Sequence, residues 1–255
     1  MQFYETWVQE HTGFGWRVCE SQFNSSTRQL VDSGEEHDLL ESMIDQVKPK
    51  PRYGEEFEGL HYLLASSFRY PPLRHGSRFG RYHEPSLWYG SETVTCALAE
   101  IAYYRFVFFS AQKHPITTVS TTHTAYRTRL SSKRYCDLTS PPMVTYLKSN
   151  NIAVSSKSDY ADSQHVGTLL RHNNIDLFRY PSARDPGHGA NFGAFSPQAF
   201  AKKSPERKMQ SWHCVTSSKH VEFSRHDIFV RGSVDGVRFK RTDFEVNGTL
   251  PWPAS

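Results

Sequence analysis

A chain of 255 residues can bury one large core or two small ones, and an aromatic share of 14% makes Phe, Tyr and Trp its natural core material. The formal net charge of +4 attracts anions weakly and lacks the concentrated Lys/Arg block of a dedicated nucleic-acid binder. Four widely spaced cysteines (Cys19, Cys96, Cys136 and Cys214) contain no C-x-x-C pair, which argues against a zinc knuckle or redox dithiol and for reduced, buried thiols. The start, Met1-Gln2-Phe3-Tyr4-Glu5-Thr6-Trp7, has neither the basic flank nor the apolar run of a signal peptide. The longest apolar stretch, 101–109, is interrupted by Arg105 and too short to span a bilayer. A soluble, cytoplasmic protein is expected, with no membrane and no direct nucleic-acid partner.

The first third reads as helical. Asn24-Ser25-Ser26-Thr27-Arg28 offers capping hydroxyls and a turn. Residues 35–47 then place Leu39, Leu40, Met43, Ile44 and Val47 at helical spacing, with Glu35, Glu36 and Asp38 in the first turn, where the helix dipole favours anions. Lys48-Pro49-Lys50-Pro51 stops that helix. A second short helix is expected over 56–66, before the break at Tyr70-Pro71-Pro72. Beyond Arg78 the pattern turns to short strands and one prominent helix. Residues 86–90 read as a strand, and Ser91 or Thr93 as the cap of a helix through Ala97, Leu98, Ile101 and Tyr104. The β-branched run 116–125 reads as a strand. A helix over 160–171 and strands over 175–180 and 191–195 follow, and 212–246 is strand-rich, with Ser233-Val234-Asp235-Gly236 as a hairpin turn. There is no internal repeat, and a single α+β domain is the economical architecture.

Three segments carry the chemistry. Gly76-Ser77-Arg78-Phe79-Gly80 sets an arginine between glycines, where a guanidinium fork and backbone amides can grip an anion; taken alone, Arg78 reads as a surface arginine in a turn. Tyr89 ends a strand, where it can stack on a ring and use its hydroxyl, or pack half-buried. Glu100 sets a carboxylate in an apolar helical run, one turn from Ala97 and Tyr104; it reads either as a surface glutamate or as a group that stabilises developing positive charge. Arg78, Tyr89 and Glu100 are evenly spaced, as a turn–strand–helix unit would need to bring them to one end of a sheet. Ser182, in Tyr180-Pro181-Ser182-Ala183-Arg184-Asp185-Pro186-Gly187, sits where a strand leaves for a tight loop. The G-x-S-x-G pattern is absent, so Ser182 reads as a ligand contact rather than a nucleophile, and Arg184 and Asp185 as a pair holding the loop. The thirteen histidines form no H-E-x-x-H or His-x-His cluster, and His213-Cys214 point to opposite faces of a strand, so no metal site is expected. The glycine loop fits neither the Walker nor the dinucleotide-fold template. An arginine, a phenol, a carboxylate and a serine suit recognition and cleavage of a charged nucleotide sugar.

Together these segments resemble the RES domain, a family named for its Arg, Glu and Ser. Ser77-Arg78-Phe79 is similar to its arginine motif, Trp88-Tyr89-Gly90 through Ala97-Leu98-Ala99-Glu100 to its tyrosine and glutamate motif, and Arg179-Tyr180-Pro181-Ser182-Ala183-Arg184-Asp185 to its serine motif. Trp16-Arg17-Val18, Phe68-Arg69-Tyr70-Pro71-Pro72 and Gln210-Ser211-Trp212-His213-Cys214 resemble flanking pieces of longer members. The resemblance implies a mixed-sheet core similar to ADP-ribosyltransferases with flanking helices, here with a helical N-terminal extension over about 1–71, a core over about 72–214 and a β-rich end over about 215–255. It implies an enzyme that consumes NAD+ as substrate, without a resident cofactor. Family members act as toxins paired with an Xre-like helix-turn-helix antitoxin, in complexes that can contain a homo-oligomer of the toxin. Some resemble NAD+ phosphorylases, with inorganic phosphate as co-substrate and nicotinamide and ADP-ribose 1″-phosphate as products; others hydrolyse NAD+ or transfer ADP-ribose to a protein. By resemblance Arg78, Tyr89, Glu100 and Ser182 are the catalytic set. Arg78 would anchor phosphate, Tyr89 would position the nicotinamide ribose or ring, Glu100 would hold a ribose hydroxyl, and Ser182 would bind the nicotinamide side. Arg81 is close enough to share or take over the role of Arg78. A protein-directed mono-ADP-ribosyltransferase and a catalytically silent binding module are the alternatives.

Overall fold

A computed structural model describes residues 5–21, 31–47, 54–70, 72–113, 117–226 and 234–252. Within them the chain forms β1 (Val8–Glu20), α1 (Gly34–Val47), α2 (Tyr62–Arg69), β2 (Trp88–Ser91), α3 (Val94–Ser110) and β3 (Val119–Asp137). There follow α4 (Pro141–Ser149), α5 (Ala161–His172), β4 (Leu177–Pro181), β5 (Ala190–Ala194), β6 (Gln210–Thr216), β7 (His220–His226) and β8 (Val234–Lys240). This is the α+β architecture expected, with most boundaries moved by one to three residues. The expected turn at 24–28 and helix stop at 48–51 fall wholly or largely outside the described residues.

The departures have physical causes. The front of the chain is not helical throughout, because Val8–Glu20 is a 13-residue strand that pairs antiparallel with β3 from Val8↔Cys136 to Glu20↔His123. The helix expected at 56–66 splits into a 3-10 turn at Glu55–Phe57 and α2, because Gly59 adopts φ +67° between them. His61 caps α2, its Nδ1 accepting from the Leu63 amide at 3.2 Å. β3 runs on to Asp137, since Tyr126, Thr128, Leu130 and Ser132 face inward in strict alternation with Arg127, Arg129 and Ser131. Val234, Asp235 and Gly236 are already strand residues opposite His226, Arg225 and Ser224, and Arg225 clasps Asp235 across the pair at 2.6 Å, so these three do not form the expected turn; Ser233 lies outside the described residues. Helix α4 was not expected, although Ser140-Pro141-Pro142 is a sound helix start.

The eight strands form one sheet in the order β1-β2-β5-β4-β3-β6-β7-β8, and β1 also pairs with β3. The pairings β1–β2–β5–β4–β3–β1 thus close a five-strand circuit, from which β6, β7 and β8 extend. The β3–β4 pair is parallel, with α4 and α5 in the crossover between its strands. Helix α3 lies in the core: Thr93 caps it, accepting from the Cys96 amide at 3.1 Å, and Leu98, Ala99, Ala102, Tyr103 and Phe106 are fully buried. Its buried side packs with Val221, Phe223, Phe239 and Phe244 from the β7–β8 end. A second cluster, around Trp88, Tyr126, Leu130 and Phe192, joins α2 to the closed circuit, and a third packs α4 and α5 on β4. Aromatic rings are prominent in the first two, as the composition predicts, whereas Leu, Val, Ile and Met side chains predominate in the third.

Candidate active site

A cavity of about 490 Å³ opens beside α3, within the range of roughly 300–1,000 Å³ typical of small-molecule sites. The turn at 77–80, strand β2 and helix α3 bring Arg78, Tyr89 and Glu100 to its wall. The spacing in the sequence thus corresponds to a shared wall in space. Ala97, Ile101 and Tyr104 flank Glu100 on the same helix face, and the exposed Tyr70, Leu73 and Tyr104 stand at the opening.

The carboxylate of Glu100 is held from two sides. Ser182 Oγ donates to its Oε1 at 2.7 Å, and Asn191 Nδ2 donates to the same oxygen at 2.6 Å. The second oxygen, Oε2, receives no hydrogen bond among the described residues, while Glu100 lines the cavity. Asn191 is itself fixed in orientation: Ser91 Oγ donates to its Oδ1 at 2.6 Å, so Nδ2 is turned to the carboxylate. Ser91 and Asn191 are direct partners in the β2–β5 register, which brings the three groups together. The neighbouring thiol of Cys96 also points to Asn191 Oδ1, at 3.2 Å, and burial raises its pKa to about 12, so it stays protonated as a donor.

Ser182 is placed behind Glu100 rather than in the cavity lining. Its Oγ accepts from the Arg184 amide at 3.1 Å and the Asp185 amide at 3.0 Å, which commits its one proton to Glu100. The loop between β4 and β5 is closed further by Asp185, whose two oxygens accept from Gly187 at 2.9 Å and Gly189 at 3.1 Å. Asp185 is therefore occupied by backbone, and the Arg184–Asp185 pair expected from the sequence does not form. Arg184 instead turns into the cavity lining.

Arg78 is 9% exposed and sits over the Tyr160 ring, 4.6 Å from the centroid, with Nη1 donating to the Ser156 carbonyl at 2.8 Å. Its turn is pinned from two directions. The Tyr89 hydroxyl accepts from the Phe79 amide at 2.9 Å and pairs with Ser77 Oγ at 2.9 Å; Gln164 of α5 donates to the His75 and Ser77 carbonyls at 2.8 and 3.1 Å. Gly76 permits the turn at φ +75°, where a Cβ would meet the Gly80 carbonyl at 2.3 Å. Gly167 lets α5 approach the turn, since a Cβ there would lie 2.1 Å from the Phe79 carbonyl. Burial raises the Tyr89 pKa to about 12, so the phenol is a neutral fastener rather than a proton-transfer group near pH 7. Arg17 of β1 donates to the Tyr89 carbonyl at 2.8 Å and adds a third arginine, after Arg78 and Arg184, to the cavity wall. Arg81 lies outside the lining; its amide donates to Glu84 at 2.8 Å.

Asn191 and Arg17 had no assigned role in the sequence reading, and Arg184 was expected only to pair with Asp185. A buried Asn within Ala190–Ala194, a strand otherwise of small and aromatic residues, was the one available signal, because Asn is disfavoured in strands and needs partners when buried. Among the described residues no group of three His, Cys, Asp or Glu side chains converges as a metal site, and no helix is long and apolar enough to cross a membrane.

The RES domain family model matches residues 54–217, most of the chain, and the protein belongs to that family. No curated protein matched the chain. Among solved structures, the crystal structure of the M. tuberculosis MbcT–MbcA toxin–antitoxin complex is similar at 10% identity and a TM-score of 0.45, over 80% of this chain and 85% of that one.

Proposed function

We propose that this protein cleaves the nicotinamide–ribose bond of NAD+ by phosphorolysis. The observation that carries the reading is Glu100, whose carboxylate is clamped through Oε1 by Ser182 and Asn191 and keeps Oε2 for a ligand in a cavity flanked by Arg78. Departure of nicotinamide leaves oxocarbenium character on the ribose. A fixed carboxylate that accepts from a ribose hydroxyl stabilises that charge without reorganising at the moment of reaction. In the full step the C1″–N bond breaks and its electron pair leaves with neutral nicotinamide. A phosphate oxygen then bonds to C1″, giving ADP-ribose 1″-phosphate. Arg78, braced on Tyr160, offers its remaining N–H groups to the dinucleotide's phosphates. Tyr89 contributes a ring face to the wall and fixes the Arg78 turn, and Ser182 positions Glu100 rather than touching nicotinamide.

An enzyme that drains NAD+ harms its own cell, so the reading includes toxin function and a neutralising antitoxin of Xre-like helix-turn-helix type. Tyr70, Leu73 and Tyr104, exposed at the cavity opening, form an apolar rim for a partner to cover. The experiment supplies adenosine-labelled NAD+ and inorganic phosphate to the purified chain and follows the label. Label in ADP-ribose 1″-phosphate supports the reading. Label in ADP-ribose replaces phosphorolysis by hydrolysis, and label on protein replaces it by protein ADP-ribosylation.

A further inference from the structure

Arg184 occupies a position that neither the fold nor the NAD+ reading accounts for. It is 2% exposed, yet its guanidinium carbon sits 3.5 Å from the centroid of the Tyr103 ring and both Nη1 and Nη2 lack a hydrogen-bond partner among the described residues. An arginine stays protonated in a protein, and burying that charge without a counter-group is strongly unfavourable. Neither nearby carboxylate forms an ion pair with it: both Asp185 oxygens accept from the Gly187 and Gly189 amides, and Glu100 is anchored through Oε1 by Ser182 and Asn191 without contacting the guanidinium. Tyr103 supplies only its ring face, since its hydroxyl donates to the Pro251 carbonyl at 2.6 Å. A ring face steadies a guanidinium while leaving the in-plane N–H fork free for an anion.

The surroundings indicate which anion. Arg184 and Arg78 line the same cavity, each lying on a tyrosine ring, and Arg184, Arg78 and Glu100 all act electrostatically on Tyr103. The Arg184 amide donates to Ser182 Oγ, which donates to Glu100, so the guanidinium is held on the same short loop that aims the carboxylate. Two braced cations suit a tetrahedral group with several oxygens, and the free Nη pair suits bidentate contact with two of them.

We propose that Arg184 is a phosphoryl-binding residue of this cavity, its two free Nη groups donating to oxygens of a phosphate. That phosphate is either free orthophosphate, the attacking co-substrate, or the diphosphate of a nucleotide. The inference rests on the phosphorolysis reading for the source of the anion and not for its binding.

Orthophosphate and ADP are titrated separately, with no NAD+ present, into the wild-type chain, Arg184→Met and Arg184→Lys, by calorimetry and by melting temperature. The wild type is expected to bind and to melt higher with the ligand. Arg184→Met is expected to melt no lower than the wild type in phosphate-free buffer, because an unpaired buried cation is removed. It is also expected to bind roughly tenfold or more weakly. Arg184→Lys keeps the charge without the fork and falls between the two, and it decides the matter if Arg184→Met does not fold. Dependence on Arg184 for orthophosphate assigns the co-substrate, and dependence for ADP alone assigns the diphosphate. Unchanged affinities in variants that melt lower would make Arg184 a packing residue and overturn the proposal, as would a wild type that binds neither ligand. A wild type that binds through Arg184 but releases no nicotinamide would overturn the NAD+ reading and leave this site standing.

Discussion

The two halves of the site's chemistry, a carboxylate end and a guanidinium end, are built by opposite means. Glu100 is held by donors, the Ser182 hydroxyl and the Asn191 amide, which converge on one carboxylate oxygen at 2.7 and 2.6 Å. Arg78 and Arg184 are held by the faces of Tyr160 and Tyr103, at 4.6 and 3.5 Å, and among the described residues Arg78 alone of the two makes a guanidinium hydrogen bond, to the Ser156 carbonyl. Direct hydrogen bonding fixes an angle and uses up the group's capacity on that side. Ring stacking fixes a plane and leaves the donors in that plane available. The carboxylate end is thus specialised for orientation and the guanidinium end for capture. A group that must meet one developing charge gains from the first, and a group that must take several phosphate oxygens gains from the second.

Glu100→Gln strikes the oriented end directly and carries the largest expected effect. Nicotinamide release should fall roughly a hundred- to a thousand-fold, with the near-ultraviolet circular dichroism unchanged. Asn191→Ala removes one of the two donors and leaves the buried Ser91 hydroxyl without its acceptor. It should cost about 1–3 kcal/mol of stability in urea melts and lower kcat more than it raises KM, whereas a loss confined to KM would erase the distinction between the two ends. Tyr89→Phe acts on the capturing end, because the Phe79 amide loses its acceptor and the Arg78 turn loosens. KM should rise with kcat little changed.

The same substitution carries a pH signature. A free phenol titrates near 10, and burial holds that of Tyr89 up to about 12. A folded pKa above the unfolded one contributes stability that is complete below about pH 10 and is lost as pH rises through about 12. Wild-type stability should therefore drop more steeply between these limits than that of Tyr89→Phe, as chemical melts at stepped pH will read. Arg81→Gln should matter least, within about 0.5 kcal/mol and less than twofold in rate, because that side chain lies outside the lining. A large loss there would transfer the role of Arg78 to its neighbour.

Each end was legible in the sequence only in part. Arg78, Tyr89 and Glu100 follow one another through a turn, a strand and a helix with short connections, so local pattern was enough to group them. Asn191 was not legible, because its partners come from the pairing Ser91↔Asn191 between β2 and β5, strands far apart in the chain. Arg184 was misassigned for a related reason. Its neighbour Asp185 is a natural partner on paper, but the tight loop needs that carboxylate for its own amides. The strand β1 was missed because Gly13 and Gly15 and the charged residues blur its alternation. Gly15 is there for closeness, since a Cβ would come within 2.8 Å of the Trp88 ring. What was legible lies in consecutive elements with short connections, and what was not depends on strand register or on the loop's own hydrogen bonds.

The most direct test of the account is the rate of nicotinamide release from NAD+ by the purified protein, freed of any partner, with and without inorganic phosphate. The account predicts release that requires phosphate and yields ADP-ribose 1″-phosphate in equal amount. A folded, partner-free protein that releases no nicotinamide under either condition would contradict it.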